Sequence, residues 1–490
     1  MRLSTVLPVL FALGVIAKIR VPAVHLRDNG LTRRQLLEGK ICRFFEQKLP
    51  PFYYDLSTTD ETLESYVTPD NESSSSMLTK HENPDRSLKV PPVPGGAFYL
   101  SGQLGAPRYG GRYSDNRLFN RSHTVGKNEW WTLDKDSREW ATIQPRDSDG
   151  LLRADGMASV NVPVQGLAFS IGGLVNNWTD STYKDWGLAP EGMIALRSML
   201  IYDTRKHEVK NVTISPLPAQ WGGVVEYVPV GKKGVLVLIG GFESDKTAIT
   251  ASDKSLKEMN KVHLYDIYAG EWYTQIARGS IPKNRAFACA SVASASDNSS
   301  HNIFVHGGTD GAITTYSDTY VLSLPSFKWI KVGSGLDTQS RLGHNCHMTA
   351  KYRMLVLGGR GQDQDVPALP FWDTGVCDKY AMINVFDVNT LRWLNSRNPK
   401  DGDTRFKVNR VITAVIGGNK PEDGWGSHDI GALFDSSLPT RVPSSMDKKQ
   451  RPAKPPPGGG SSGGASQAAR TKVGTIGLIV MTAIAAAIVA

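Results

Sequence analysis

A short apolar run closed by a Gly-Gly pair recurs five times in this 490-residue chain, and that recurrence constrains the fold more than any single residue does. The runs are Leu167–Ile171 before Gly172-Gly173, Val235–Ile239 before Gly240-Gly241, 303–306 before Gly307-Gly308, 354–357 before Gly358-Gly359, and 412–416 before Gly417-Gly418. Their first glycines lie 68, 67, 51 and 59 residues apart, which suits four short strands plus loops. A weaker sixth copy is 97–100 before Ser101-Gly102. A period of this length marks an array of units, each unable to bury its own faces without its neighbours.

A second signature follows most pairs. An aromatic-Asp pair precedes a Trp in Tyr265-Asp266 then Trp272, and in Phe386-Asp387 then Trp393. Trp131 with Asp134 and then Trp140 is a looser copy, Tyr320 then Trp329 loses the Asp, and Tyr202-Asp203 has Val209 in place of the Trp. Recurrence of Asp203, Asp266 and Asp387 at one repeat position predicts a turn or packing role, not catalysis.

Together these halves resemble the Kelch motif, and the resemblance covers about residues 95–435. It implies an all-β propeller of six blades, each of four antiparallel strands, with seven blades as the alternative. The physics agrees. Glycines permit positive φ and close packing near a crowded axis, and the Tyr and Trp rings supply apolar surface that neighbouring blades bury for each other. Arg285 and Arg341 match the family's usual opening, most closely in Arg341-Leu342-Gly343-His344. Cys42-Arg43-Phe44-Phe45, and Cys377 ahead of Asn384-Val385-Phe386-Asp387, are similar to the secreted fungal branch of Kelch proteins. Within that resemblance a Cys346–Cys377 bridge is expected inside one blade, with Cys42 and Cys289 as the remainder. The last repeat is incomplete, holding Trp425 and Phe434-Asp435 without a full second half. An open ring leaves exposed strand edges, so the segment near 42–45 is expected to supply a closing strand.

Both ends read as targeting segments. Arg2 precedes an apolar run that ends near small residues at Val15 and Ala17, or Val21 and Ala23; residues 1–23 have the form of a secretory signal peptide, with an N-terminal anchor as the alternative. Residues 24–94 form an N-terminal segment, loop-like over 55–94. The propeller spans 95–436, and 437–472 is a Pro-, Gly- and Ser-rich stalk. Residues 473–490 form an uncharged apolar tail, read as a GPI-anchor signal or a transmembrane helix. Five Asn-X-Ser/Thr acceptors (Asn71, Asn120, Asn177, Asn211 and Asn298) and four cysteines fit the secretory pathway. The net charge of +9 comes from residues 1–20 (+3) and 437–472 (+6), leaving 21–436 neutral. A basic domain surface for nucleic acid is therefore not expected.

The Kelch fold also houses copper oxidases of the galactose-oxidase type, whose site needs two His and two Tyr converging at the hub. No Tyr-His dipeptide occurs here, and His344 and His347, three apart on an expected strand, point to opposite faces. His306 is expected to be packed or hydrogen-bonded core. No Gly-X-Ser-X-Gly elbow appears, Gly231-Lys232-Lys233-Gly234 reads as a hairpin turn, and the cysteine spacings match no zinc site. No metal or cofactor is expected.

What remains is the loops that follow the glycine pairs, residues 174–199, 242–262, 309–319 and 360–381, which share one face of a propeller. They carry Trp178, Tyr183, Trp186, Tyr316, Phe371 and Trp372 with Arg360, Asp363, Asp365 and Asp373. Trp186, Tyr316, Arg360, Asp363, Phe371 and Trp372 are the candidate binding residues, since aromatics among a few charges dominate recognition surfaces. The expected function is recognition of a protein or glycan at the cell surface. The rival is an enzyme with its site in the central channel.

Overall fold

The computed structural model describes residues 54–55, 98–99, 106–111, 130–133, 140–177, 179–180, 182, 192–333, 340–348, 352–357, 383–394, 406–416, 421–435 and 479–480. They are nearly all β. Five sheets of four sequential antiparallel strands succeed one another along the chain, at 98–143, 158–213, 224–276, 289–333 and 345–393. The fourth gains a two-residue parallel strand, Arg278–Gly279, on its outer edge. In each sheet the strands run in chain order from innermost to outermost, as blades do.

The sequence pattern explains how the sheets stack. Side chains alternate across a strand, so a strand covered on both faces can be apolar throughout. Val235–Ile239, the second strand of the third blade, is buried at every residue. Val235, Val237 and Ile239 join a core with Ile303, Val305 and Trp329 of the fourth blade. Leu236 and Leu238 join a core with Phe169, Ile171 and Met199 of the second. Phe304 of the fourth blade packs in turn with Val356 and Phe386 of the fifth. The outermost strand is more open; in Glu271–Ile276 only Trp272 and Gln275 are buried, while Glu271, Thr274 and Ile276 are exposed.

The aromatic-Asp-Trp signature builds the outer hairpins of the third and fifth blades. Tyr265 pairs across the ladder with Trp272, their rings 5.1 Å apart. Phe386 and Trp393 repeat the arrangement at 5.1 Å. The recurring Asp holds the turn: Asp203 Oδ1 accepts from the backbone N–H groups of Arg205 and Lys206, Asp266 Oδ1 from Tyr268, and Asp387 Oδ1 from Asn389 and Thr390. In the two looser copies the aromatics do not face each other. Opposite Trp329 stands Leu322, not Tyr320, which faces Lys331. Opposite Trp140 stands Leu133, not Trp131.

The weak sixth copy was misplaced. Phe98–Tyr99 is the first strand of its blade, and the glycine pair belongs to the second strand, Ala106–Tyr109, as Gly110-Gly111. At the far end, 412–416 is not a strand. Arg410–Thr413 is a helical turn capped by Asn409, whose side chain accepts from the Val411 N–H. Trp425 and Phe434 are not blade strands either; they stack on each other against Phe327. Glu422 pairs with Lys328 and Asp423 with Arg278, both of the fourth blade, and the Gly426 N–H donates to Gln275 Oε1 of the third at 2.7 Å, so 421–435 straps the two. The expected closing strand near 42–45 lies outside the described residues. So do the loop-like 56–94 and the stalk, and of the C-terminal tail only 479–480 is described, paired with 54–55. Among the described residues no helix is long and apolar enough to cross a membrane.

The disulfide joins Cys289 to Cys346, with Cα atoms 5.3 Å apart. This replaces the expected Cys346–Cys377 and Cys42–Cys289 bridges. Cys289 opens the inner strand of the fourth blade and Cys346 lies in the inner strand of the fifth, so the bond crosses between blades instead of staying within one.

Candidate functional site: the loop face and the axis

The glycine pairs mark one end of the first four blades, where the next blade's inner strand begins. There the second glycine donates its N–H to the incoming chain of the neighbour. Gly111 donates to the Ala154 carbonyl (2.7 Å), Gly173 to Gln220 (2.8 Å), Gly241 to Arg285 (2.9 Å) and Gly308 to Arg341 (2.7 Å). Two residues further on, a second circuit runs nearer the axis. Gly222 donates to Gly156 (2.7 Å), Phe287 to Gly222 (2.7 Å) and Gly343 to Phe287 (2.8 Å). Arg285 and Arg341, singled out as family openings, are therefore blade-joining residues. The buried Arg285 guanidinium donates to Asp318 (2.6 Å) and to the Gly307 carbonyl (2.9 Å).

Phe287 is the exception in the inner circuit. It holds φ +53° where its counterparts are glycines, a conformation costing an L-residue roughly 1–2 kcal/mol. Its ring lies over Gly222 and Gly156, where a Cβ would come within 3.1 Å and 3.5 Å of it. It also meets Phe242 edge-on at 6.2 Å, and Phe242 stacks on Trp221 at 5.6 Å. An aromatic group of Phe287, Phe242 and Trp221 thus packs at the joints of these blades.

The loops after the glycine pairs are fused. Leu174–Val175, Met193–Ala195 and Ala248–Ile249 form one small sheet, and Ala219–Trp221, Phe242–Ser244 and Ser255–Leu256 another. The first pairs a loop of the second blade with a loop of the third. Beneath them Lys257 is buried, its ammonium donating to Gln220 Oε1 at 2.6 Å, and burial pulls its pKa down to about 8. On top, exposed Lys254 lies 5.1 Å from the Phe242 ring. Ile313, 72% exposed, tips the loop 309–315, whose Gly311 packs against Phe242.

Of the six candidate binding residues, Tyr316 alone is among the described residues. It is half-buried, its ring 4.2 Å under the Arg285 guanidinium, so it is tied into the blade joint. Trp186, Arg360, Asp363, Phe371 and Trp372 lie outside the described residues, as do Trp178, Tyr183, Asp365 and Asp373. Sequence reasoning missed Phe242, Phe287, Lys254 and Ile313. The signal for Phe287 was available: it falls where Gly156, Gly222 and Gly343 stand in the other repeats. Three glycosylation acceptors, Asn177, Asn211 and Asn298, are exposed, while Asn71 and Asn120 lie outside the described residues.

Inside, His306 is fully buried and hydrogen-bonds Thr319 Oγ1 through Nδ1 (3.0 Å), as a packed core residue. Glu226 lies on the innermost strand of the third blade, four residues past Gly222, and burial raises its pKa to about 8. The unfolded chain ionises this carboxyl near 4.5, so between pH 4.5 and 8 the folded chain keeps a proton that the unfolded chain has lost. Stability therefore falls as pH rises through that window. Glu226→Gln is expected to raise the melting temperature at pH 7.5, with the gain vanishing by pH 4.5. Equal melting of the two proteins at pH 7.5 would show the carboxyl to be solvated.

Sequential four-stranded sheets, joined blade to blade through glycine pairs, are the arrangement of a β-propeller. The chain is similar to a Kelch repeat-containing protein of Arthroderma benhamiae (strain ATCC MYA-4681 / CBS 112371), 27% identical over 481 residues, covering 85% of this chain and 68% of that protein. No protein-family model matches. The solved structure of YjhT is a looser likeness, at 13% identity and a TM-score of 0.38, covering 55% of this chain and 74% of YjhT.

Proposed function

We propose that this chain is a cell-surface Kelch propeller that binds a protein or glycan through its loop face. The observation that carries this reading is the fusion of the loops. Loops of the second and third blades pair into a small sheet, exposed Lys254 adjoins a second one, and Ile313 projects from the neighbouring loop 309–315, with Phe287 packed over Gly222 and Gly156. A rigid, mostly polar surface with a few apolar anchors is what recognition needs. A channel enzyme needs convergent polar groups open to a small substrate, whereas the described inner positions after the blade joints are glycine backbone and the Phe287 ring.

Secretion, a six-bladed ring closed by the N-terminal segment, and a C-terminal anchor belong to the same proposal. The apolar ends, the exposed acceptors Asn177, Asn211 and Asn298, and the inter-blade disulfide support it. The test is cross-linking on intact cells that display the tagged full chain, with an Ile313→Asp/Lys254→Glu double variant alongside. The wild type should capture a surface protein or glycoconjugate, and the variant should lose it. A GPI-specific phospholipase should release the complex if the anchor is a lipid. Equal capture by both chains would remove the loop face from the proposal, and a tag confined to the cytosol would overturn the surface reading.

A further inference from the structure

The inter-blade disulfide has a third companion. One ring nitrogen of His344 and the sulfurs of Cys289 and Cys346 all lie within 4.8 Å of one another. His344 is 4% exposed, and apart from a weak interaction with the His306 backbone neither ring nitrogen makes a well-formed hydrogen bond. Buried polar groups in native proteins are satisfied as a rule, so an under-bonded imidazole beside two sulfurs asks for an explanation. Burial, with His306 and Arg341 nearby, lowers the pKa of this imidazole. The edge-on His306 ring, 5.4 Å away, helps fix its plane.

Two sulfurs and a neutral imidazole are the donor set of a thiophilic cation. We propose that the reduced form of this cluster binds one d10 cation, Cu+ or Zn2+, through Cys289, Cys346 and His344. The ion then takes over from the disulfide as the fastening between the fourth and fifth blades. Cys289 comes from one blade and His344 and Cys346 from the next, so coordination requires the two to be docked, as the disulfide does. Among the described residues no fourth Cys, His, Asp or Glu joins the cluster. Cu+ is satisfied by three such donors, whereas Zn2+ would take a fourth ligand from water.

The exchange balances with a small thiol as reductant. One thiolate attacks the sulfur of Cys346, the half-buried partner, breaking the S–S bond and releasing Cys289 as a thiolate that takes up a proton. A second thiol then displaces the first from Cys346. The protein has gained two electrons and two protons, and the reductant leaves as its own disulfide. Binding of the cation expels the two thiol protons.

The experiment titrates the full-length protein under anaerobic conditions, before and after reduction by a phosphine that is then removed. Cu+ and Zn2+ are added in separate arms against chromophoric chelators. Reduced wild type should take up one ion per chain, and its melting temperature should move back toward that of the disulfide form. The unreduced protein should take up none. Cys289→Ser should abolish uptake, and His344→Gln should weaken it by at least about tenfold. Melting of unreduced His344→Gln, whose disulfide is intact, shows whether that variant folds. Uptake in one arm alone identifies the ion. No uptake in either arm, equal uptake by folded His344→Gln, or uptake by the unreduced chain would each overturn the proposal.

Discussion

Trp329→Ala is expected to lower the unfolding free energy by about 5 kcal/mol. Truncating a large buried aromatic costs about 3–5 kcal/mol, and leaving a buried carbonyl unpaired adds about 1–3 kcal/mol. Trp329 is fully buried between the third and fourth blades, and its indole N–H donates to the Met259 carbonyl at 2.9 Å. Trp272 is 9% exposed and should cost about 3 kcal/mol. Trp393 is half-buried and should cost less still. Denaturant unfolding of the three variants tests this order, and an unchanged midpoint for Trp329→Ala would remove that residue from the core.

The second large effect concerns a residue with no side chain. Gly172 has φ +66°, and a Cβ there would overlap the Gln220 carbonyl oxygen, the acceptor of the blade-to-blade bond from Gly173. Gly172→Ala therefore combines left-handed strain of about 1–2 kcal/mol with overpacking of about 1–3 kcal/mol and a weakened hydrogen bond of about 1 kcal/mol. The expected loss is about 4 kcal/mol. Gly150 is the control, with φ +72° and nothing within 4 Å of a Cβ. Gly150→Ala carries only the backbone strain, about 1 kcal/mol. Equal losses at the two sites, read from melting curves, would show that crowding at the blade joint contributes nothing.

Those glycines show why much of the fold is legible from sequence alone. Where one backbone donates to the next at 2.7–2.9 Å there is little room for a side chain, so the joint writes itself into the sequence as Gly-Gly. The pair Gly110-Gly111 escaped notice because its strand reads Ala-Pro-Arg-Tyr, without the apolar run that flags the others. The run at 412–416 misled in the opposite sense. Short apolar runs do not distinguish strand from helix, and the informative residue was Asn409, a good N-cap. The disulfide was missed because pairing was sought within a blade. Aligning the repeats on Arg285 and Arg341 sets Cys289 four residues after one and Cys346 five after the other, on adjacent inner strands. The loop face was legible only as a location. Which of its residues reach solvent depends on the pairing of 193–194 with 248–249, and no local pattern announces it.

The alternation along Val235–Ile239 has a consequence for how the chain must be made. Each blade owns half of two cores and the whole of none, so a blade leaving the ribosome presents an unfinished apolar face until its successor arrives. Synthesis from the N-terminus therefore carries one apolar face forward from blade to blade, each covered only when the next blade docks. A chain built this way leans on folding helpers throughout its production, and its yield is set by the slowest closure, not by the stability of any one unit.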